Sequence, residues 1–129
     1  MTTIQPDGWR QPRGYSNGMI AQGRVLAIAG QIGWNERGEF TSDDFTEQSA
    51  QALRNVLAVV ASAGGRATDV IRLTWYVTDK RAYLAAASEL GKAYRDLFGT
   101  HYPAMTLVQV ASLLEDRAQV EIEATAVLT

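Results

Sequence analysis

The chain of 129 residues has no cysteine, a single histidine and only three prolines. Without thiols there are no disulfides, thiolate nucleophiles, iron–sulfur clusters or cysteine-held zinc. One imidazole, His101, excludes every site that needs two, which removes most protein-held zinc and copper centres. An excess of positive charge is also missing. Twelve Lys and Arg stand against fourteen Asp and Glu, for a net charge of −2, so nothing draws the chain to nucleic acid or an anionic membrane. No apolar run reaches the roughly 18 residues of a membrane helix. Met1-Thr2-Thr3-Ile4-Gln5-Pro6 has neither the basic start nor the apolar stretch of a secretory signal, so a soluble cytoplasmic protein is expected. What remains is 47% apolar and 20% charged, an ordinary globular balance, and the length suits one domain over 1–129 with a core that needs no staples.

Residues 1–18 carry Pro6, Gly8, Pro12, Gly14 and Gly18 and read as a lead-in with turns. Arg24 to Gly30 is a short apolar run, a buried-strand pattern. Asp44, with Glu47 three residues on, opens a helix carrying Leu53, Val56, Leu57 and Val60, and Gly64-Gly65 stops it. From Val70 to Val77, Ile71, Leu73, Trp75 and Val77 alternate with Arg72, Thr74 and Tyr76, which predicts a strand. Asp79 can cap a second helix with the stripe Tyr83, Ala87, Leu90, Tyr94 and Phe98, ending before Gly99. Strands follow over about 104–110 and 119–128. The order predicts an α+β domain with two helices on one face of a mixed sheet.

The other face would then carry Met105, Leu107 and Tyr76 among Thr74, Gln109, Glu121 and Glu123. An apolar patch there predicts a closed homo-oligomer packed sheet against sheet. Glu121 and Glu123, two apart on a strand, point the same way. A solvated strand face is the ordinary meaning of such a pair. At a subunit interface, a desolvated carboxylate can instead move protons near neutrality and hold a water. His101, between a helix end and Pro103, reads as a loop histidine, and Gly64-Gly65 lacks the strand and the Lys-Ser/Thr of a phosphate cradle.

Several short motifs then converge in order along the chain. Gly14-Tyr15-Ser16-Asn17 precedes the first strand and Ala29-Gly30-Gln31-Ile32 ends it. Gln48 and Ala52-Leu53-Arg54-Asn55-Val56 lie in the first helix. Pro103-Ala104-Met105-Thr106, Val108-Gln109-Val110-Ala111 and Val120-Glu121-Ile122-Glu123-Ala124 follow. Together they resemble the RidA/YjgF family, also labelled endoribonuclease L-PSP, from about Gly14 onward. The resemblance implies a chorismate-mutase-like fold, a six-stranded mixed sheet with two helices on one face. It also implies a homotrimeric barrel with small-molecule ligands in three clefts between subunits. It further implies hydrolysis of enamines and imines such as 2-aminoacrylate, without metal or organic cofactor.

By the same resemblance, Glu121 holds and activates the attacking water, the Gly30 backbone lies against the ligand, Tyr15 stands at the cleft mouth and Tyr94 is a second-helix aromatic. Met105 departs from the pattern, because deaminating members carry there an arginine that grips the substrate carboxylate. A thioether cannot replace a planar, charge-assisted fork. Gly91, where many members have Asn, and Gly33-Trp34, where Pro is common, also differ, and Trp34 is a further candidate to shape the cleft. Arg13 is a candidate substitute cation, although a lead-in arginine is ordinarily solvated. Three readings follow. One is a cofactor-free hydrolase of a small imine, enamine or related C–N compound other than 2-aminoacrylate. Another is a ligand-binding trimer without chemistry. The third, an endoribonuclease, has the family label alone behind it.

Overall fold

The C-terminal run Val120–Leu128 alternates apolar with polar residues over most of its length, and the chain is built around it in the computed structural model, which describes residues 1–129. In chain order the elements are β1 (Thr2–Ile4), β2 (Gly18–Ile20), β3 (Arg24–Ile32), α1 (Phe45–Ser62), a 3-10 turn (Ala67–Asp69), β4 (Val70–Val77), α2 (Lys80–Ala85), α3 (Ala87–Phe98), β5 (Ala104–Gln109) and β6 (Val120–Leu128). Four strands form the main sheet in the order β3-β6-β4-β5. Strand β6 is antiparallel to both neighbours, whereas β4 and β5 run parallel. The fold is α+β, as expected, but the six strands do not form one sheet. The three-residue strands β1 and β2 pair only with each other, as a separate antiparallel ribbon. Thr2, Thr3 and Ile4 are all exposed, so β1 has no apolar face with which to join the core.

Alternation sorts the sheet into two faces. Val120, Ile122 and Ala126 have no exposure and, with Leu73, Trp75 and Val77, pack under the helices. Leu53, Val56 and Val60 of α1 face them, also fully buried. Asp44 caps α1 by accepting from the Glu47 amide at 3.0 Å, and Gly64 stops it at φ +87°. The strand β4 departs slightly from its expected alternation. A bulge between Val70 and Arg72 puts Val70 in the core and leaves Ile71 half-buried.

The second expected helix is two. Asp79 caps α2 through the Arg81 amide, and the helix ends at Ala86 before α3 resumes. Ala85-Ala86-Ala87 holds neither Gly nor Pro, so nothing in the local sequence marks that break. No helix is long and apolar enough to cross a membrane.

Two amides on α1 tie loops to the core. The Gln48 side chain, almost fully buried, donates to the Ser42 and Arg117 carbonyls, both at 3.0 Å, and accepts from the Gln119 amide at 2.9 Å. About two helical turns further on, Asn55 donates to the Ile32 and Trp34 carbonyls at 3.1 and 2.8 Å. Gln48 thereby fixes the entry into β6, and Asn55 fixes the exit from β3. Replacing Gln48 by Leu leaves three part-buried backbone groups without their partner and should destabilise the protein by about 3 kcal/mol. Chemical denaturation at fixed protein concentration measures this, and a loss under about 1 kcal/mol would mean that the loops are held by other contacts.

Candidate functional site

Chemistry-bearing residues gather in two places, one on each face of the sheet. On the face away from the helices, the β3–β6 register shifts between Ile28 and Gln31, and Gly30 sits in that irregularity. The Glu121 side chain lies directly over the Gly30 backbone. A Cβ added there would come within 2.7 Å of the Glu121 carboxyl carbon, so only glycine admits the carboxylate so close to the main chain. Glu121 makes no ion pair, and no donor within the chain engages its carboxylate, which leaves it available to a water or a ligand.

Beside it, the Tyr76 hydroxyl donates to Glu123. That hydrogen bond pushes the Tyr76 phenol above its ordinary pKa, with burial and the charges of Glu123 and Glu121 adding and Arg72 opposing. Tyr76 therefore stays a neutral donor through the physiological range. Tyr76, Val110, Ser112, Leu113, Glu121 and Glu123 line an open hollow of about 290 Å³. The sequence pattern signalled the two carboxylates; the tyrosine that engages one of them emerges from the β4–β6 register, which sets Tyr76 opposite Glu121.

On the helix side, a cavity of about 450 Å³ opens between β4, β5 and α3. Its walls are aromatic: Trp75, Tyr83, Tyr94 and Tyr102, with Met105, Leu73 and Leu90. The Tyr94 ring stacks between Phe98 and Tyr102, with centroids 4.7 and 5.2 Å away, and its hydroxyl donates to the His101 carbonyl at 2.6 Å. Burial raises the Tyr83 phenol above the usual tyrosine value and pushes the Tyr94 phenol well above it, so neither ionises at neutral pH. The His101 ring donates from Nε2 to the Val70 carbonyl at 2.7 Å, the structural role expected of a loop histidine.

The motif around Gly14 is laid along the start of β5. The Ser16 amide donates to the Pro103 carbonyl at 3.1 Å and its hydroxyl to the Tyr102 carbonyl, with Gly14 turning at φ +76°. This brings Arg13 and Gly14 to the rim of the aromatic cavity, opposite Gly91 and Arg95 of α3. Tyr15 points elsewhere, into an adjoining hollow lined by Arg10, Gln11, Pro12 and Arg13.

Of the six residues singled out in the sequence, the structure joins Glu121 with Gly30 and Tyr94 with Met105. It does not bring the two pairs together. Met105 lies opposite Leu73 in the parallel β4–β5 register, so it and Leu107 share the helix-covered face; Gln109, opposite Val77, does too. This corrects the expected placement of all three on the bare face. That face is instead formed by Thr74, Tyr76, Thr106, Glu121 and Glu123, with Val25 and Val108 as its exposed apolar side chains. The facing of β5 is set by its parallel pairing with β4, which the hydrophobic pattern of β5 alone does not fix. Trp34 is also removed from both sites. Its ring packs on Phe40 at 5.9 Å while Asn55 holds its carbonyl, and it lines neither the cavity nor the carboxylate hollow. Arg95, Trp75 and Tyr102 are cavity residues that sequence patterning did not single out, lying respectively in α3, β4 and the connection before Pro103. No three His, Asp or Glu side chains converge as metal ligands do.

Residues 10–128 match the family model described as Endoribonuclease L-PSP. A RutC family protein of Pyrococcus horikoshii is 34% identical over 117 residues, 90% of this chain and 89% of that protein. The 2-iminobutanoate/2-iminopropanoate deaminase of Homo sapiens is 30% identical over 114 residues, covering 88% of this chain and 79% of its own length. Among solved structures, the Rid family protein YyfB of Yersinia pestis, described as of unknown function, superposes with a TM-score of 0.84 at 33% identity, over 98% of both chains. With the fold, the ordered motifs and these matches in agreement, the chain belongs to the RidA/YjgF family.

Proposed function

We propose that the protein is a cofactor-free hydrolase of small imines or enamines, working as a homotrimer in clefts between subunits. The observation that carries this reading is the seating of the Glu121 carboxylate, unpaired, against the exposed Gly30 main chain. A carboxylate in that position can hold a water and take its proton as the oxygen adds to an imine carbon. The same carboxyl then returns a proton to nitrogen, and the tetrahedral adduct collapses to a carbonyl compound and ammonia. Backbone amides around the Gly30 irregularity are suited to polarise the substrate. Relatives named 2-iminobutanoate/2-iminopropanoate deaminase, at about 30% identity, support the reaction class.

The split across the sheet supports the assembly. Strands β3 and β5 are the two open edges of the sheet, with Gly30 on one and Met105 on the other. Closing edges between copies hides unpaired strand groups and sets the aromatic cavity of one copy against Glu121 of the next. In this reading Glu121 is the acid/base, Gly30 the main-chain contact, and Tyr94 and Met105 the pocket wall. Tyr15 stands by the entrance and Trp34 has a role only in the loop that follows β3.

Met105 bears on substrate choice. An arginine at that position would grip a carboxylate through two parallel hydrogen bonds, and losing such a contact in a desolvated cleft costs about 2–5 kcal/mol. Short, carboxylate-only ligands such as 2-aminoacrylate are accordingly poor substrates.

Two measurements test this. With imines generated in situ by an amino-acid oxidase, Glu121→Gln should lower 2-oxo acid formation by about a hundredfold or more while ligand affinity stays within about threefold. Unchanged turnover would remove Glu121 from the chemistry, and no turnover by the parent protein on any imine would leave a ligand-binding trimer. With 2-aminoacrylate itself, Met105→Arg should raise kcat/KM by about tenfold or more. A parent protein already as fast as its Met105→Arg variant would mean that residue 105 does not select the substrate.

A further inference from the structure

We infer that the aromatic cavity selects 2-imino acids with a bulky, aromatic side chain, whose carboxylate is held at the rim by Arg95 and Arg13. The inference rests on the hydrolase reading for the step that consumes such an acid, and adds to it the class of acid bound.

Size and lining come first. A space of about 450 Å³ is far larger than a three-carbon acid needs, and falls within the range of pockets that bury a drug-sized ligand. The rings of Trp75, Tyr83, Tyr94 and Tyr102 present π faces and edges, and Tyr83 already meets Trp75 edge-on with centroids 5.9 Å apart. Such walls reward a planar apolar body. Polar competition inside is small. The Tyr94 hydroxyl is spent on the His101 carbonyl, and burial keeps both it and Tyr83 protonated, so no phenolate forms to repel an anion.

Charge comes second. Arg13 and Arg95 are the only charged residues of the lining, and no carboxylate is among them. Neither guanidinium makes an ion pair: the chain's two bridges are Lys92–Asp96 and Arg117–Asp43. The Arg95 guanidinium folds back over Gly91. A Cβ at residue 91 would stand 3.2 Å from its Nη1, so the glycine opens the path by which this side chain lies across the cavity rim. Arg13 arrives from the other side on the Gly14 turn, which Ser16 pins to Pro103. Two unpaired guanidiniums over an aromatic hollow match one ligand pattern, an anionic head on an apolar ring.

Both arginines are exposed, so their grip is screened by water and salt and is weaker than that of a buried fork. The ring must therefore supply the rest of the affinity. This reconciles Met105 with an acid substrate: the thioether is part of the apolar wall, and the cation is moved from the sheet to α3 and the lead-in.

Isothermal titration of the full chain with three stable probes separates the contributions. These are phenylpyruvate, pyruvate, and the uncharged phenylacetone. Phenylpyruvate should bind about tenfold or more tighter than either of the others. The double variant Arg13→Gln/Arg95→Gln should lose about tenfold in affinity for phenylpyruvate and little for phenylacetone. Added salt should weaken phenylpyruvate binding to the parent protein more than to the double variant. Pyruvate binding as tightly as phenylpyruvate, or a double variant that binds phenylpyruvate as the parent does, would overturn the inference. The hydrolase reading is judged separately, by turnover of the phenylalanine-derived imine. Arginine-dependent binding without turnover would sink that reading and uphold the selection of aromatic acids; turnover with no preference for the aromatic acid would do the reverse.

Discussion

The alternation of β6 is the constraint on which the molecule depends. Its even-numbered residues, Val120 to Leu128, are buried under the helices, and this fixes which way Glu121 and Glu123 must point. A one-residue slip would put both carboxylates into the core and the apolar residues in water, so the register is strongly held. Because β6 lies between β3 and β4, it also sets the level of its neighbours. Gly30 is brought under Glu121 on one side, and Tyr76 beside Glu121 and Glu123 on the other. The core and the carboxylate site thus follow from one strand.

Helix α1 supports the carboxylate site through the loops on either side of it. Gln48 holds the turn that leads into β6, and Asn55 holds the loop that leaves β3 just beyond Gly30. Both amides donate to main-chain carbonyls of the loops they hold, a bond that apolar residues cannot make. The loop held by Asn55 includes Trp34, which explains why that ring turns to Phe40 rather than to a cleft.

Much of this was legible in the sequence. The strand alternation at 120–128, the Asp44 cap, and the stripe of α1 all reflect local rules that act within a few residues. Glu121 and Gly30 were found from an ordered set of short motifs, and the close approach of one to the other gives a physical reason for the glycine. What the sequence hid depended on distant partners. The side on which Met105 falls is set by its pairing with Leu73, thirty-odd residues away in the chain, and not by its own neighbours. The break at Ala86 has no Gly or Pro to announce it, and β1 and β2 are too short to carry a period. Nor does the helical pattern of α3 announce that the Arg95 guanidinium lies over Gly91.

The central claim is that each working cleft takes its carboxylate from one copy and its aromatic cavity from another. Mixed oligomers test it directly. A Glu121→Gln chain lacks the acid/base, and a Gly91→Trp chain has its cavity filled, so each alone should be inactive on an imine. Unfolded together and refolded in equal amounts, the two chains should regain activity, since about a quarter of the clefts would then combine an intact Glu121 with an intact cavity. A mixture that forms mixed oligomers yet stays as inactive as either parent would contradict the account.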